Sequence, residues 1–164
     1  MSSPSFQLTH TFADRLPAYS VPCEPMAVKS PKLLQFNVDL SHELGLPLDA
    51  DDAGQLAELF SGQQMLPGAH PVAQAYAGHQ FGGFVPQLGD GRALLLGEIV
   101  DREEQRRDIA LKGSGRTPFS RGGDGKAAIG PVLREYLIGE AMHALGIPTT
   151  RALAAVSTGQ DVMR

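Results

Sequence analysis

The hydrophobic pattern of the chain changes character several times. The first thirty or so residues show no period and carry Pro4, Pro17, Pro22, Pro25 and Pro31, too many for a long helix, which predicts an extended arm laid over the rest. In "PKLLQFNVDLSHELGLP", Leu33, Phe36, Leu40 and Leu44 recur on one face, predicting a helix that Gly45 and Pro47 end. A shorter helix is predicted in "AGQLAELFSG", stopped by Gly62. "RALLLGEIV" is apolar on both faces, as a covered strand would be, and the charged "DREEQRR" leads into the alternating "DIALKG", so the two strands predict a hairpin. The segment "GSGRTPFSRGGDGKAAIG" is too rich in Gly, Ser and Thr to be regular throughout, and loops of that length are usually functional or disordered. Pro131 is placed to open the next helix, "PVLREYLIGEAMHALG", and Gly146 with Pro148 to close it. "RALAAVSTGQDVMR" then predicts a strand, a "TGQD" turn and the start of a return strand at Arg164, a pattern that reads as a chain cut short.

Composition narrows the functional classes. At 164 residues and 42% hydrophobic content the chain has the size of about one domain and enough apolar material for a core. A formal net charge of -4 with scattered basic residues gives no electrostatic footprint for nucleic acid or an anionic membrane, so neither is expected as a partner. A single cysteine, Cys23, cannot form an internal disulfide, no signal pattern opens the chain, and the apolar runs are far short of a membrane span, which points to a reducing cytoplasm. Cys23, in "VPCEP", reads as a plain thiol with nothing nearby to lower its pKa. His42, Asp51 and Asp52 read as solvated surface, because no third ligand stands at metal spacing.

Two features remain that carry chemistry. The stretch Gly78 to Glu98, "GHQFGGFVPQLGDGRALLLGE", sets a flexible Gly-rich turn against a stiff strand, and such turns let backbone groups approach a phosphate. In the helix after Pro131, Leu133, Leu137, Ala141 and Ala144 make one apolar stripe, while Ile138 and Met142 accompany Glu135 on the other side. The helix is therefore expected to be covered on both faces, with Glu135 close to burial. A buried carboxylate needs a cation, and Lys112, which alternates away from Ile109 and Leu111, is placed to supply it. Periodicity leaves two alternatives open: Glu135 solvated beside Arg134, or Glu140 as the inward carboxylate. Gly-rich turn, strand, lysine-bearing strand and glutamate-bearing helix follow in the order of the small lobe of protein kinases. "LGDGRA" lacks the full G-x-G-x-x-G spacing, and no G-x-x-x-x-G-K-[ST] loop is present.

Longer phrases are more specific. "YAGHQFG", "PQLGDGRALLLGE", "LKGSGRTPFSRGGDGKA", "REYL" and "EAMHALGIPTTRAL" resemble the selenoprotein O family of kinase-like protein adenylyltransferases over nearly the whole chain. The resemblance implies an α+β fold: a protein-kinase-like small lobe with an antiparallel sheet and helices over residues 81–164, preceded over residues 1–80 by the arm and a helical extension, with the large lobe absent. It implies an enzyme that binds ATP in an orientation flipped relative to ordinary kinases and transfers AMP to Ser, Thr or Tyr hydroxyls of proteins. Carried over by position, the nucleotide contacts fall on Gly89, Gly91, Arg92, Lys112, Asp124 and Gly125, with Glu135 holding Lys112 extended. Lys126 stands where the family usually has an arginine, keeping the charge but losing the fork. The family's catalytic aspartate and the ligands for Mg2+ or Mn2+ are expected beyond residue 164, so the chain alone is expected to be inactive and, with an open apolar face, to self-associate. The competing expectations are a non-catalytic nucleotide- or protein-binding domain and part of an ordinary phosphoryl-transfer kinase.

Overall fold

In the computed structural model, which describes residues 6–162, the elements follow in the order α1 (Thr11–Arg15), a 3-10 turn (Pro17–Tyr19), β1 (Ser20–Pro22), β2 (Lys32–Phe36), α2 (Val38–Glu43), α3 (Ala53–Ser61), β3 (Val72–Gln74), β4 (Gly78–Gln80), β5 (Gly83–Val85), β6 (Ala93–Val100), β7 (Arg106–Lys112), α4 (Ile129–Ala144) and β8 (Ala154–Ser157). The fold is α+β and every strand pairing is antiparallel: a four-stranded sheet in the order β1-β3-β6-β7, a two-stranded sheet β2-β8, and the small hairpin β4-β5.

β6 and β7 form the hairpin that the pattern predicts. Leu94 to Ile99 are buried without interruption in β6, whereas β7 buries Ile109 and Leu111 and turns Ala110 and Lys112 outward. Leu96, Ile99, Ile109 and Leu111 join Leu40 and Leu59 in the main core, and Leu94 packs with Ala73 and Phe119 in a smaller one. Each such buried leucine contributes roughly 2 kcal/mol of apolar transfer. α3 lies where it is predicted: the Asp52 side chain caps its start by accepting from the Gln55 N–H at 2.9 Å, and Gly62 ends it at φ +80°.

The long helix predicted from Pro31 is instead a strand followed by a helix. Leu33 and Phe36 belong to β2, which pairs with β8, and only Leu40 and Leu44 belong to the helical turn that follows. Asn37 makes the break, its N–H donating to the Leu153 carbonyl at 2.8 Å and its side chain accepting from the Leu40 N–H at 3.0 Å as the cap of α2. The expected end stands, with Gly45 at φ +71°. Consequently β8 finds its partner near the start of the chain. Asp161 and Val162 form no strand, and the rest of the expected return strand, Met163 and Arg164, lies outside the described residues.

The arm is less extended than predicted, since α1, the 3-10 turn and β1 fall within it. It also enters the sheet: Thr9 pairs with Glu98 beyond the end of β3, and the Phe12 N–H donates to Glu98 Oε1 at 2.7 Å. Pro4 and the other residues before Phe6 lie outside the described residues. α4 begins at Ile129, two residues before Pro131, which still occupies the first turn where a missing N–H removes no helical bond. It is not covered on both faces. Gly139 is its one buried residue, and Leu133, Leu137 and Ile138 are exposed. No described helix is long and apolar enough to cross a membrane.

Candidate functional site

Between the outward face of β7, α4 and β8 lies a cleft of about 1350 Å³, lined among others by Arg92, Lys112, Glu135 and Tyr136. Its cation is fixed by the sheet. Lys112 pairs with Ala93 across the hairpin, the Gly113 N–H donates to the Arg92 carbonyl at 2.7 Å, and strand alternation aims the lysine away from the core. Lys112 Nζ meets Glu135 Oε1 at 2.5 Å, so the expected pair forms, while Glu140, paired with Arg151, is the more inward of the two carboxylates, as the second alternative had it. Both members of the Lys112 pair are about half exposed, so Glu135 is not the buried carboxylate that the helix pattern predicts. An exposed ion pair contributes about 0–1 kcal/mol to stability. Its effect here is to hold the ammonium in one place at the cleft wall. Arg92 is exposed, and among the described residues its guanidinium has no hydrogen-bond or ion-pair partner.

The Gly-rich turn is held behind this wall. The Leu88 and Gly89 N–H groups both donate to the Tyr76 carbonyl, the Asp90 N–H donates to the Gln74 carbonyl, and the Asp90 carboxylate accepts from the Gln74 N–H at 3.0 Å. From the other side, Thr117 Oγ1 donates to the Asp90 carbonyl at 2.5 Å and Ser120 Oγ to the Gly91 carbonyl at 2.7 Å. Gly89, at φ +68°, has its Cα against the Phe119 ring, where a Cβ would have no room. Glycine is thus required here by the loop bearing Phe119, and the Gly89 N–H is already used by Tyr76. Burial and the Asp90 carboxylate push the Tyr76 hydroxyl above its ordinary pKa.

Asp124 and Gly125 form a second turn beside Lys112. The Asp124 carboxylate accepts from the Lys126 N–H at 2.9 Å, Ser114 pairs with Lys126, and the Gly115 N–H donates to the Gly125 carbonyl. At φ +66°, Gly125 lies so close to Gly115 that a Cβ would fall on its carbonyl group. Of the residues that the sequence singles out, Arg92, Lys112 and Glu135 therefore line the cleft together, while Gly89, Gly91, Asp124 and Gly125 build the turns behind them. No group of three or more His, Cys, Asp or Glu among the described residues is placed to hold a metal ion. Asp52 serves as a helix cap and His42 faces Arg102 at 3.1 Å, in keeping with their reading as surface residues.

Three features escaped the sequence reading. Thr117 and Ser120 clamp the Gly-rich turn from within a segment that, as expected, holds no helix or strand before α4 begins. Glu98, inside a run read as apolar, is buried with Oε2 unmatched by a hydrogen bond and 3.6 Å from the Arg106 guanidinium. Arg151 bridges Glu140 and Glu43, raising its own pKa and holding the Glu140 carboxyl below its ordinary value. Its only sequence signal was a lone arginine after two threonines.

The sequence model of the family described as "Protein adenylyltransferase SelO" matches residues 4–164. A protein of Cereibacter sphaeroides (strain ATCC 17025) named "Protein nucleotidyltransferase YdiU" is 61% identical over 98% of the chain and 33% of its own length. Proteins of the same name from Chromobacterium violaceum and Rhizobium rhizogenes are 63% and 57% identical over 91% and 100% of the chain, and over 31% and 32% of their own lengths. The chain spans about a third of the length of the curated relatives it matches.

Proposed function

The chain belongs to the SelO family of protein adenylyltransferases, and from that premise we propose that it is the kinase-like small lobe of an enzyme that moves AMP from ATP to Ser, Thr or Tyr hydroxyls of proteins. The observation that carries this reading is the Lys112–Glu135 ion pair at the wall of the cleft, on a strand and a helix that follow the Gly-rich turn in kinase order. The donor set suits a triphosphate: a compact ammonium held in place, and a forked guanidinium at Arg92 with no competing partner among the described residues. ATP supplies the activated phosphoanhydride. Lys112 and Arg92 bind and orient its phosphates, Glu135 keeps Lys112 extended, and the turns at Gly89–Gly91 and Asp124–Gly125 keep the cleft wall rigid. The ligands for Mg2+ or Mn2+ and the group that takes the hydroxyl proton belong, in this reading, to the part of the family's length that the chain does not span. Without them the chain by itself has no transfer activity.

The test is the fate of labelled ATP with the full-length protein. Label at the alpha phosphate or on adenine is expected on the target protein, with gamma label leaving as pyrophosphate. Lys112→Ala should lower this labelling by about a hundredfold or more and Lys112→Arg should restore little of it, because a planar fork does not replace a point charge. Gamma label on protein, with adenine left in solution as ADP, would overturn adenylylation in favour of phosphoryl transfer.

A further inference from the structure

α4 carries Glu135, yet little apolar packing holds it. Gly139 alone is buried, against the Thr150 carbonyl, and Leu133, Leu137 and Ile138 face solvent. Beside a hydrogen bond between Tyr136 and Gln35, what fixes the helix is charge. Arg151 Nε and Nη2 reach the two oxygens of Glu140 at 3.0 and 2.7 Å, and its Nη1 reaches Glu43 Oε2, at the end of α2, at 2.6 Å. The Arg151 side chain is 14% exposed, far more enclosed than the Lys112–Glu135 pair, and a planar fork with both carboxylates engaged permits little rotation. Glu140 stands five residues after Glu135, about 7.5 Å along the helix axis. A tilt or slide of α4 at Glu140 therefore displaces Glu135 from Lys112, which the sheet holds still.

We infer that Arg151 is a positioning residue for the candidate site: by tying α4 to α2 through Glu140 and Glu43 it sets where Glu135 stands and so where the Lys112 ammonium is held. The importance of this for ATP rests on the reading above, but the positioning itself does not.

Two measurements on the full-length protein separate them. The first is the rate at which Lys112 is acetylated by a water-soluble N-hydroxysuccinimide ester, relative to Lys29 and Lys32, read by peptide mass spectrometry without nucleotide. Loss of the carboxylate partner releases the Lys112 Nζ from its hydrogen bond and opens it to the ester, so Glu135→Gln should raise the relative rate about threefold. Arg151→Met should match it, Arg151→Lys should fall between, and Arg151→Met combined with Glu135→Gln should add nothing. Where Arg151→Met fails to fold by circular dichroism, Glu140→Gln takes its place with the same expectation. The second is ATP affinity by calorimetry, expected to weaken about tenfold in Arg151→Met and in Glu135→Gln without compounding in the double variant. A folded Arg151→Met, or Glu140→Gln in its place, with wild-type Lys112 acetylation would overturn the positioning role. Altered acetylation with ATP affinity unmoved in every variant, Lys112→Ala included, would uphold the clamp and overturn the nucleotide reading.

Discussion

The two walls of the cleft are built on opposite principles. On the sheet side, β6 is buried along nearly its whole length and the Gly-rich turn is bonded from two directions, by Gln74 and Tyr76 in front and by Thr117 and Ser120 behind. On the helix side, α4 buries one glycine and is held by ion pairs at Glu135 and Glu140. Close packing and backbone hydrogen bonds resist displacement along the whole strand, whereas α4 is tied at one enclosed fork, Arg151 with Glu140, and otherwise by the half-exposed Lys112–Glu135 pair, which yields at little cost. The lysine thus stands on the rigid wall and its glutamate on the compliant one, and any adjustment of their distance is made by the helix.

The strongest way to break this contrast is to soften the rigid wall. Phe119→Ala removes a buried ring from the core it shares with Ala73 and Leu94 and takes away the surface on which Gly89 rests, with an expected loss of about 3 kcal/mol in urea unfolding. A loss below about 1 kcal/mol would mean that the turn is not held by packing. Thr117→Val keeps the shape but deletes the bond to the Asp90 carbonyl and the acceptor for the Phe119 N–H, with an expected loss of about 1–2 kcal/mol measured in the same way.

The compliant wall gives a smaller, pH-dependent signature. The Arg151 fork, and secondarily Asn37 and His143, hold the Glu140 carboxyl below its ordinary value of 4.5 against the opposing effect of its partial burial. A depressed folded-state value means that the pair's stabilisation is fully present above the unfolded value and is lost as pH falls through the folded one. Wild type should therefore exceed Glu140→Gln by about 1 kcal/mol at pH 7, and the gap should close as the pH drops below about 4.5. A gap that stays constant from pH 7 to pH 3 would show that the carboxylate charge at Glu140 does not hold α4.

The rigid wall was the more legible of the two in the sequence. Alternation in "DIALKG" placed Lys112 outward, and the uninterrupted apolar run before it marked β6, because strand period and burial are local properties. Periodicity left the ion pair with Glu135 open beside other readings of the helix carboxylates, and it was the resemblance to the family that singled it out. The break at Asn37 was not legible. Leu33, Phe36, Leu40 and Leu44 fit a helical spacing, and only β8 reveals that the first half is a strand. Periodicity likewise marks the apolar positions of α4 but is silent on whether anything covers them. The hydroxyls of Thr117 and Ser120 and the bridging role of Arg151 depend on three-dimensional approach, which leaves no period behind.

The pairing of β2 with β8 has a consequence in time. Its partners, such as Lys32 and Ser157, stand about 120 residues apart in the chain, so the entropy of closing that long loop must be met before the pairing rewards it, and contacts of this separation are the slow ones in folding. During synthesis β6 and β7 can pair as soon as both are clear of the ribosome, whereas β2 waits with its edge open until Ala154 to Ser157 emerge. The helical turn after Asn37 waits with it, since the Leu153 carbonyl that accepts the Asn37 N–H emerges in the same late stretch. The sheet that bears Lys112 is thus poised to form before the segment that fixes Arg151, so the cleft closes only once its sheet wall is in place.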